Sequence, residues 1–343
     1  MKRTTPLLVI SLIGFLLCGA AGADSGPVAN RPGKKVRLAV EFMDHAAAAF
    51  VSREKGWFAE AGLDVQSYET YVTGMALASA LSRGDIDAAY ICLVPAINAF
   101  RNAGVPLRII AGTHKHGYGL VSRGPAVQNI QDLRRPEVRL GCVREGGAVD
   151  VLLRKVMDVQ GWEAGPILSR VQRMPPAKQV LALQTGQLDA AVLPEQWATM
   201  AEAGDGRMLL TSRDVWPHMQ GSVLVAKADL LRDRPEVARK LVAVLERSTD
   251  WINRYPAEAA AIVAGQLQQI EGGSLGGVSA SCRSAITPDV LRRSMDRMAF
   301  TTAIDPAEVQ KMIDYLAALG YIKSGFAARE ILDLRYLKNG LHR

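Results

Sequence analysis

Two turns in this sequence carry the residue types best suited to hold a small ligand. Each turn contains glycine and stands directly before an apolar helical pattern, and the second also follows a strand pattern. Backbone N–H groups at a helix start have no partner within the helix, and glycine lets a ligand approach them closely. We therefore predict that an anionic or strongly polar group binds between these turns. Their residues are Thr73, Gly74, Met75, Glu145, Gly146, Gly147 and Ala148.

Further polar and aromatic side chains stand where predicted strands end. Strand ends and helix N-termini share one edge of an open α/β sheet, so we expect these side chains to line the same cleft. Asp44 could instead only cap the next helix, and Glu195 could only compensate the dipole of the helix that it begins. The residues of this group are Phe42, Asp44, His45, His114, Glu195 and Gln196.

No catalytic or metal-binding constellation follows from the sequence. His114 and His116 share one strand face and could join His45 at a metal, but local sequence fixes no third ligand on that strand. Residues 272–276, GGSLG, match the nucleophile-elbow pattern, yet their serine falls in a predicted loop after a helix. We therefore expect no catalytic residue, no metal and no cofactor, and hence a protein that is not an enzyme.

The elements that must position these side chains occur twice. Residues 78–90 read ASALSRGDIDAAY and residues 181–192 read LALQTGQLDAAV, with Pro95 and Pro194 shortly after. In each copy an apolar helix pattern stops at a glycine, a buried strand follows, and proline opens another helix. The repeat predicts two related lobes with a cleft between them.

Hydrophobic periodicity predicts the order of elements. A strand over residues 35–41, a helix over residues 46–61 and a strand from Gly62 form a βαβ unit, which requires parallel strands. Residues 272–284 are rich in glycine and serine and are predicted to be a mobile loop. Further strands are predicted near residues 87–92, 107–111, 120–122, 138–142, 189–193 and 221–226. Further helices are predicted near residues 147–160, 235–254, 256–268, 288–298 and 306–319.

The boundaries of the lobes follow from these elements. We assign residues 35–119 to lobe one, residues 120–220 to lobe two, and residues 221–343 to a return strand and C-terminal helices of lobe one. Linkers near Gly117–Val121 and Met219–Val223 would then serve as the hinge.

The N-terminus is predicted to be an export signal of residues 1–23. Lys2 and Arg3 precede a short apolar run, and Ala21-Gly22-Ala23 forms a cleavage site, so we expect a soluble periplasmic protein cleaved near Ala23. Leu17 stands where a lipidation signal wants a small residue, which argues against a lipid anchor at Cys18.

The distribution of charge and the spacing of the cysteines argue against a nucleic-acid-binding protein and against a cysteine metal site. Lysines and arginines are scattered among acids, and no basic run alternates with aromatic residues, so we expect no nucleic-acid partner. Cleavage leaves Cys92, Cys142 and Cys282, an odd number without metal-binding spacing. The first two lie in apolar strand patterns, where a buried inert thiol is the expected state.

With lobes and cleft in place, nearly all of the mature chain resembles the periplasmic solute-binding proteins of ABC importers. The resemblance is to their nitrate, sulfonate, taurine and thiamine-pyrimidine-precursor branch. The segments that carry it are residues 53–65 (REKGWFAEAGLDV), 84–89 (GDIDAA), 186–195 (GQLDAAVLPE), 249–253 (TDWIN) and 319–322 (LGYI).

The resemblance implies an α/β fold of two lobes, with mixed or parallel sheets, a hinge and a helical C-terminal segment. It implies closure on a small polar ligand, a sulfonate, nitrate, other oxyanion or pyrimidine-type heterocycle, and delivery to an ABC permease with its ATPase. By position, the ligand contacts map to Phe42–His45, Thr73–Met75 and Gly146–Ala148. The acidic Asp44, Glu145 and Glu195 would suit an amine or heterocycle. Alternatives are an exported ligand sensor without transport and a small-molecule enzyme on the same fold.

Overall fold

The computed structural model describes residues 34–270 and 278–338. The predicted export signal and the GGSLG segment lie outside these residues. The strands are β1 Lys34–Glu41, β2 Leu63–Tyr71, β3 Ala88–Cys92, β4 Leu107–Lys115, β5 Tyr118–Arg123, β6 Leu140–Cys142, β7 Gln172–Arg173, β8 Ala190–Pro194, β9 Gly206–Thr211, β10 Gln220–Lys227 and β11 Ala299–Phe300.

Helices precede or follow almost every strand. They are α1 Ala47–Glu54, α2 Trp57–Glu60, α3 Gly74–Arg83, α4 Leu93–Arg101, α5 Ala148–Gln160, α6 Ala164–Leu168, α7 Pro176–Gln184, α8 Glu195–Ala203, α9 Ser212–Val215, α10 Ala228–Asp233, α11 Pro235–Arg254, α12 Pro256–Gln269, α13 Ala280–Ser284, α14 Pro288–Asp296 and α15 Pro306–Ala318. None of these helices is long and apolar enough to cross a membrane.

The strands form two sheets with the same internal order. The first sheet runs β2-β1-β3-β10-β4-β11 and the second runs β7-β6-β8-β5-β9. In each sheet three strands are parallel, and the next strand, β10 or β5, pairs antiparallel with the third. The mixed α/β fold is therefore confirmed. The residue ranges assigned to the lobes stay a prediction.

The repeated sequence motif makes the same contact in both sheets. Asp87 accepts hydrogen bonds from the backbone and guanidinium of Arg37, at 2.9 and 2.8 Å. Asp189 accepts the equivalent bonds from Arg139, at 2.8 and 2.7 Å. Each aspartate precedes a buried strand and ties it to the neighbouring parallel strand, so the motif helps to fix the register of the sheet.

The long C-terminal helix α11 shows why sequence patterning works here. Pro235 occupies its first turn, where a missing N–H costs nothing, and Val237, Leu241 and Leu245 lie on one buried stripe. The helix ends before Pro256, since proline disfavours helical geometry in the residue before it. Helix α11 packs against α1 and against β4 of the first sheet.

Two local predictions are corrected by the structure. The helix expected over residues 46–61 is divided into α1 and α2, because Gly56 adopts a left-handed conformation with φ of 70°. The end of the loop expected over residues 272–284 is helical. There Ser279 caps α13 by accepting a hydrogen bond from the Cys282 amide.

Candidate functional site

A cavity of about 210 Å³ lies where the two sheets meet. Its walls come from the ends of β1, β3 and β8, from the turns before α3 and α5, and from the start of β5. This is the edge at which open α/β sheets hold ligands. The lining residues are Glu41, Met43, Val72, Thr73, Gly74, Met75, Ala76, Ser79, Cys92, Pro95, Tyr118, Val143, Arg144, Gly147, Ala148, Val149, Pro176 and Pro194.

The start of α3 forms one wall. Thr73 caps the helix, and its side chain accepts a hydrogen bond from the Ala76 amide at 3.3 Å. A Cβ added to Gly74 would lie 2.6 Å from Pro95 Cγ and would overlap the Glu41 carboxylate. Glycine is thus required here for close packing between α3 and the end of β1.

The start of α5 forms the facing wall. Gly147 caps the helix in an extended conformation, with φ of −83° and ψ of 166°, and no side chain caps its free amides. Gly146 is the left-handed residue of the turn, with φ of 76°. Uncapped first-turn amides that face a cavity suit an anionic group.

Of the turn residues predicted to bind ligand, five lie in the cavity wall: Thr73, Gly74, Met75, Gly147 and Ala148. The other two point to neighbouring helices. The Glu145 carboxylate pairs with Arg154 at 2.9 Å, and the Gly146 carbonyl accepts a hydrogen bond from Asn98 at 3.3 Å.

The residues predicted at strand ends are brought together, but behind the cavity wall. Asp44 donates its backbone N–H to Gln196 Oε1 at 3.0 Å, and its carboxylate accepts a hydrogen bond from Ser294 at 2.5 Å. Burial raises the pKa of Asp44 to about 7. The Phe42 ring packs 6.3 Å from that of Trp197. These contacts join the first strand exit to α8 and α14.

Glu195 forms a buried salt bridge with an arginine. Its Oε1 lies 3.1 Å from Arg297 Nη1, and 1% of the Glu195 side chain is exposed. Burial raises the pKa of Glu195, while Arg297 opposes the shift. As placed, Glu195 balances Arg297 instead of facing the cavity.

Two buried histidines lie next to one another behind the same wall. The rings of His45 and His114 are 4.4 Å apart. Burial lowers the pKa of His45 to about 4 and that of His114 well below its usual range, so both rings are neutral at physiological pH. His116 contributes no ligand to a cluster with them.

Sequence reasoning missed the most unusual polar residues of the wall, Glu41 and Cys92. Glu41 Oε2 accepts hydrogen bonds from the Cys92 amide at 3.2 Å and from its thiol at 3.0 Å. Burial raises the pKa of Glu41 to about 7 and that of the Cys92 thiol well above its usual value. A glutamate directly after the apolar run of residues 38–40 was the available signal, since such a side chain is rarely buried without a partner.

The sequence of this chain matches a known protein family. The sequence profile of the NMT1-like family matches residues 29–268. The chain belongs to this family. A similar protein is a putative binding protein of Brucella abortus, 27% identical over 77% of this chain and 78% of the relative.

Solved structures similar to this member of the family share its fold. The alkanesulfonate-binding protein SsuA of Xanthomonas axonopodis, bound to MOPS, superposes with a TM-score of 0.72 at 15% identity, over 88% of this chain and 98% of that one. The periplasmic nitrate-binding protein NrtA of Synechocystis gives a TM-score of 0.70 at 15% identity, over 90% and 88% of the two chains. The two sheets therefore have the fold of periplasmic binding proteins.

Proposed function

We propose that this protein is the exported solute-binding component of an ABC importer and captures a small anion of the nitrate or sulfonate type. The observation that carries the proposal is that one cavity is bounded by the N-termini of both α3 and α5. A ligand held by both helix starts contacts both sheets at once. It then stabilises the arrangement in which the sheets are close, and this is the physical requirement for capture by closure.

The charges around the cavity favour an anion over an amine. Arg144 lines the cavity and forms no salt bridge with the described residues. The three acids that would have suited an amine have other partners, since Asp44 binds Ser294, Glu145 pairs with Arg154 and Glu195 pairs with Arg297. Glu41 is the one acid among the described residues of the wall, and burial raises its pKa to about 7, so it is partly uncharged near neutral pH.

The size of the cavity favours a small solute. At about 210 Å³ it is below the roughly 300–1,000 Å³ of sites for drug-sized ligands. Its remaining wall is largely apolar, with Met43, Val72 and Val149 among the lining side chains. A compact anion with a short apolar substituent suits this combination.

The two segments that connect the sheets can act as a hinge. Residues 116–117 join β4 of the first sheet to β5 of the second, and residues 212–219 lead from β9 back to β10. Gly117 adopts a left-handed φ of 100°, which favours glycine at the crossing. We take residues 35–119 and 221–343 as one lobe and residues 120–220 as the other, with an ABC permease and its ATPase as the partners that receive the solute.

The test begins with the solute itself. Protein purified under native conditions is denatured, and the released small molecules are identified by mass spectrometry. Calorimetric titration of emptied protein with nitrate, short alkanesulfonates and a cationic aminopyrimidine then ranks the classes. Preference for one of the anions supports the proposal, and preference for the cation contradicts it. Turnover of the solute would instead identify an enzyme, and a gene neighbourhood with a sensor kinase but no permease would identify a sensor.

A further inference from the structure

Three different metal-binding side chains converge beside the cavity. Glu41 closes β1, Cys92 closes the neighbouring strand β3, and His45 lies in the turn after β1. One ligand atom from each lies within 4.8 Å of the other two. All three residues are buried, with 1% of Glu41, 1% of His45 and 5% of Cys92 exposed.

We propose that Glu41, His45 and Cys92 form a binding site for a divalent metal ion of the zinc type, whose fourth coordination position opens into the cavity. Zinc accepts carboxylate oxygen, imidazole nitrogen and thiolate sulfur, and sites with three protein ligands leave one position for water or another small ligand. The proposal does not depend on which solute the cavity takes. It replaces the expectation of no metal that the sequence alone supports.

The two distances from the Cys92 sulfur are close to those of a tetrahedral site. Ligands bound to zinc at their usual bond lengths stand roughly 3.3–3.7 Å from one another. Cys92 Sγ lies 3.0 Å from Glu41 Oε2 and 3.5 Å from His45 Nδ1. Adjustments of a few tenths of an ångström in side-chain position on the sulfur side would admit the ion.

The orientation of His45 is already that of a metal ligand. Its Nε2 lies 2.8 Å from the carbonyl oxygen of Gly117, which can only accept a hydrogen bond. Nε2 therefore carries the proton, and the lone pair of Nδ1 points toward Cys92. Metal-binding histidines characteristically donate their other N–H to such a carbonyl, and this fixes the tautomer.

The polar atoms of the cluster are also incompletely satisfied. Glu41 Oε1 is buried, faces Gly74 in the cavity wall and has no hydrogen-bond partner among the described residues. A thiolate and a carboxylate together balance the charge of a dication, so the bound site would be neutral. Burial of that neutral complex avoids the cost of burying two isolated anions.

Binding should displace protons. A cysteine thiol is ordinarily protonated at neutral pH, so the metal-free cluster holds that proton. Thiolate coordination requires that this proton leave. Its release gives the experiment a readout that is independent of solute binding.

The test uses the untagged mature protein after treatment with a chelator. Cobalt(II) is titrated as the probe, because cobalt bound to a thiolate in a tetrahedral site shows a near-ultraviolet charge-transfer band and visible bands. Zinc is then added in competition. We expect one cobalt per chain, both sets of bands, and their loss on addition of zinc.

Substitutions test which residues bind the metal ion. Cys92→Ser should abolish the charge-transfer band, while Cys142→Ser, at a buried cysteine that closes the corresponding strand β6, should leave it unchanged. Glu41→Gln should weaken cobalt binding by at least about tenfold. Absence of the band in the wild type, or its persistence in Cys92→Ser, would overturn the proposal.

A second measurement covers the case in which Cys92→Ser does not fold. Zinc titration of the wild type in buffers of different ionisation enthalpy should show proton release, and zinc should raise the melting temperature. Failure of both effects would overturn the metal site. It would leave the proposed capture of an anion unaffected, because that is measured without metal.

Discussion

A salt bridge between Arg297 and Glu195 joins the C-terminal helices to α8, with Arg297 Nη1 3.1 Å from Glu195 Oε1. Arg297 directly follows α14, and Glu195 begins α8 beside the second sheet. The same guanidinium donates to Glu202 Oε2 at 2.7 Å. The C-terminal helices thus bind the start of α8, and Arg297 holds the Glu195 side chain away from the cavity.

Arg297→Met should destabilise the folded protein strongly. Removal of the guanidinium leaves the Glu195 carboxylate buried without its partner, which costs about 3 kcal/mol in comparable buried pairs. Urea unfolding followed by circular dichroism measures the change. Adding Glu195→Gln to Arg297→Met should restore part of the loss. Arg232→Met, at an exposed pair with Asp233, is the control, and an equal loss in that variant would contradict the account.

The buried carboxyl of Asp44 should make stability depend on pH. Burial raises its folded pKa from 3.8 to about 7, so folding takes up a proton between these values. The stability that Asp44 contributes is therefore full below pH 3.8 and is lost as the pH rises through 7. The buried histidines act in the opposite direction, but they are common to wild type and variant and cancel in the difference.

The measurement is urea unfolding of wild type and Asp44→Asn from about pH 4 to 8. The free energy of unfolding of the wild type, minus that of the variant, should fall with rising pH and level off above about 7. A difference that rises over the same range would mean that Asp44 is ionised in the folded protein. Asp314→Asn, at an exposed carboxylate on α15, serves as the control.

Gly147→Val should reduce ligand affinity, with a small strain in the turn where the new Cβ crowds a backbone carbonyl. Gly147 lines the cavity with φ of −83°, which valine can adopt, and the new Cβ would lie 3.2 Å from the Arg144 carbonyl. Its branches would then obstruct approach to the first amides of α5. Calorimetry with the identified solute and thermal melts measure the two effects separately. Cys282→Ser, outside the cavity wall, is the control, and unchanged affinity in Gly147→Val would remove this turn from the site.

Much of the fold could be predicted because its signals are local. The repeated segments GDIDAA and GQLDAA mark the same strand in both sheets, and Pro235 and Pro256 bracket α11. Strand β9 was missed, since it lies at the edge of the second sheet and only Leu210 among its residues is buried, so its apolar run is short. Prolines and glycines at helix starts are visible in the sequence itself. The burial of an edge strand depends instead on residues that are distant along the chain.

Part of the candidate site could likewise be predicted from the sequence, and part could not. The turns at Gly74 and Gly147 could be found because a glycine before a helix pattern is a feature of adjacent residues. The contact between Glu41 and Cys92 could not, since 51 residues separate them and only the parallel pairing of β1 with β3 brings them together. Likewise Asp44 and Glu195 were assigned to the cleft because nothing local reveals Ser294 and Arg297 as their partners.

The central claim is that the free amides at the start of α5 bind an anion, and proline substitution tests it most directly. Ala148→Pro removes one such N–H at the first helical position, where proline fits the helix and the preceding Gly147 is already extended. Ala280→Pro makes the same change at the start of α13, outside the cavity wall and also after an extended residue.

Calorimetric titration of wild type and both variants with the anion that the protein prefers gives the answer. Loss of one hydrogen bond to a charged group costs about 1.5–3 kcal/mol, so Ala148→Pro should weaken binding about tenfold to a hundredfold at an unchanged melting temperature. Ala280→Pro should bind like the wild type. Equal affinity of the two variants, with both folded, would contradict the assignment of this helix start to the binding site.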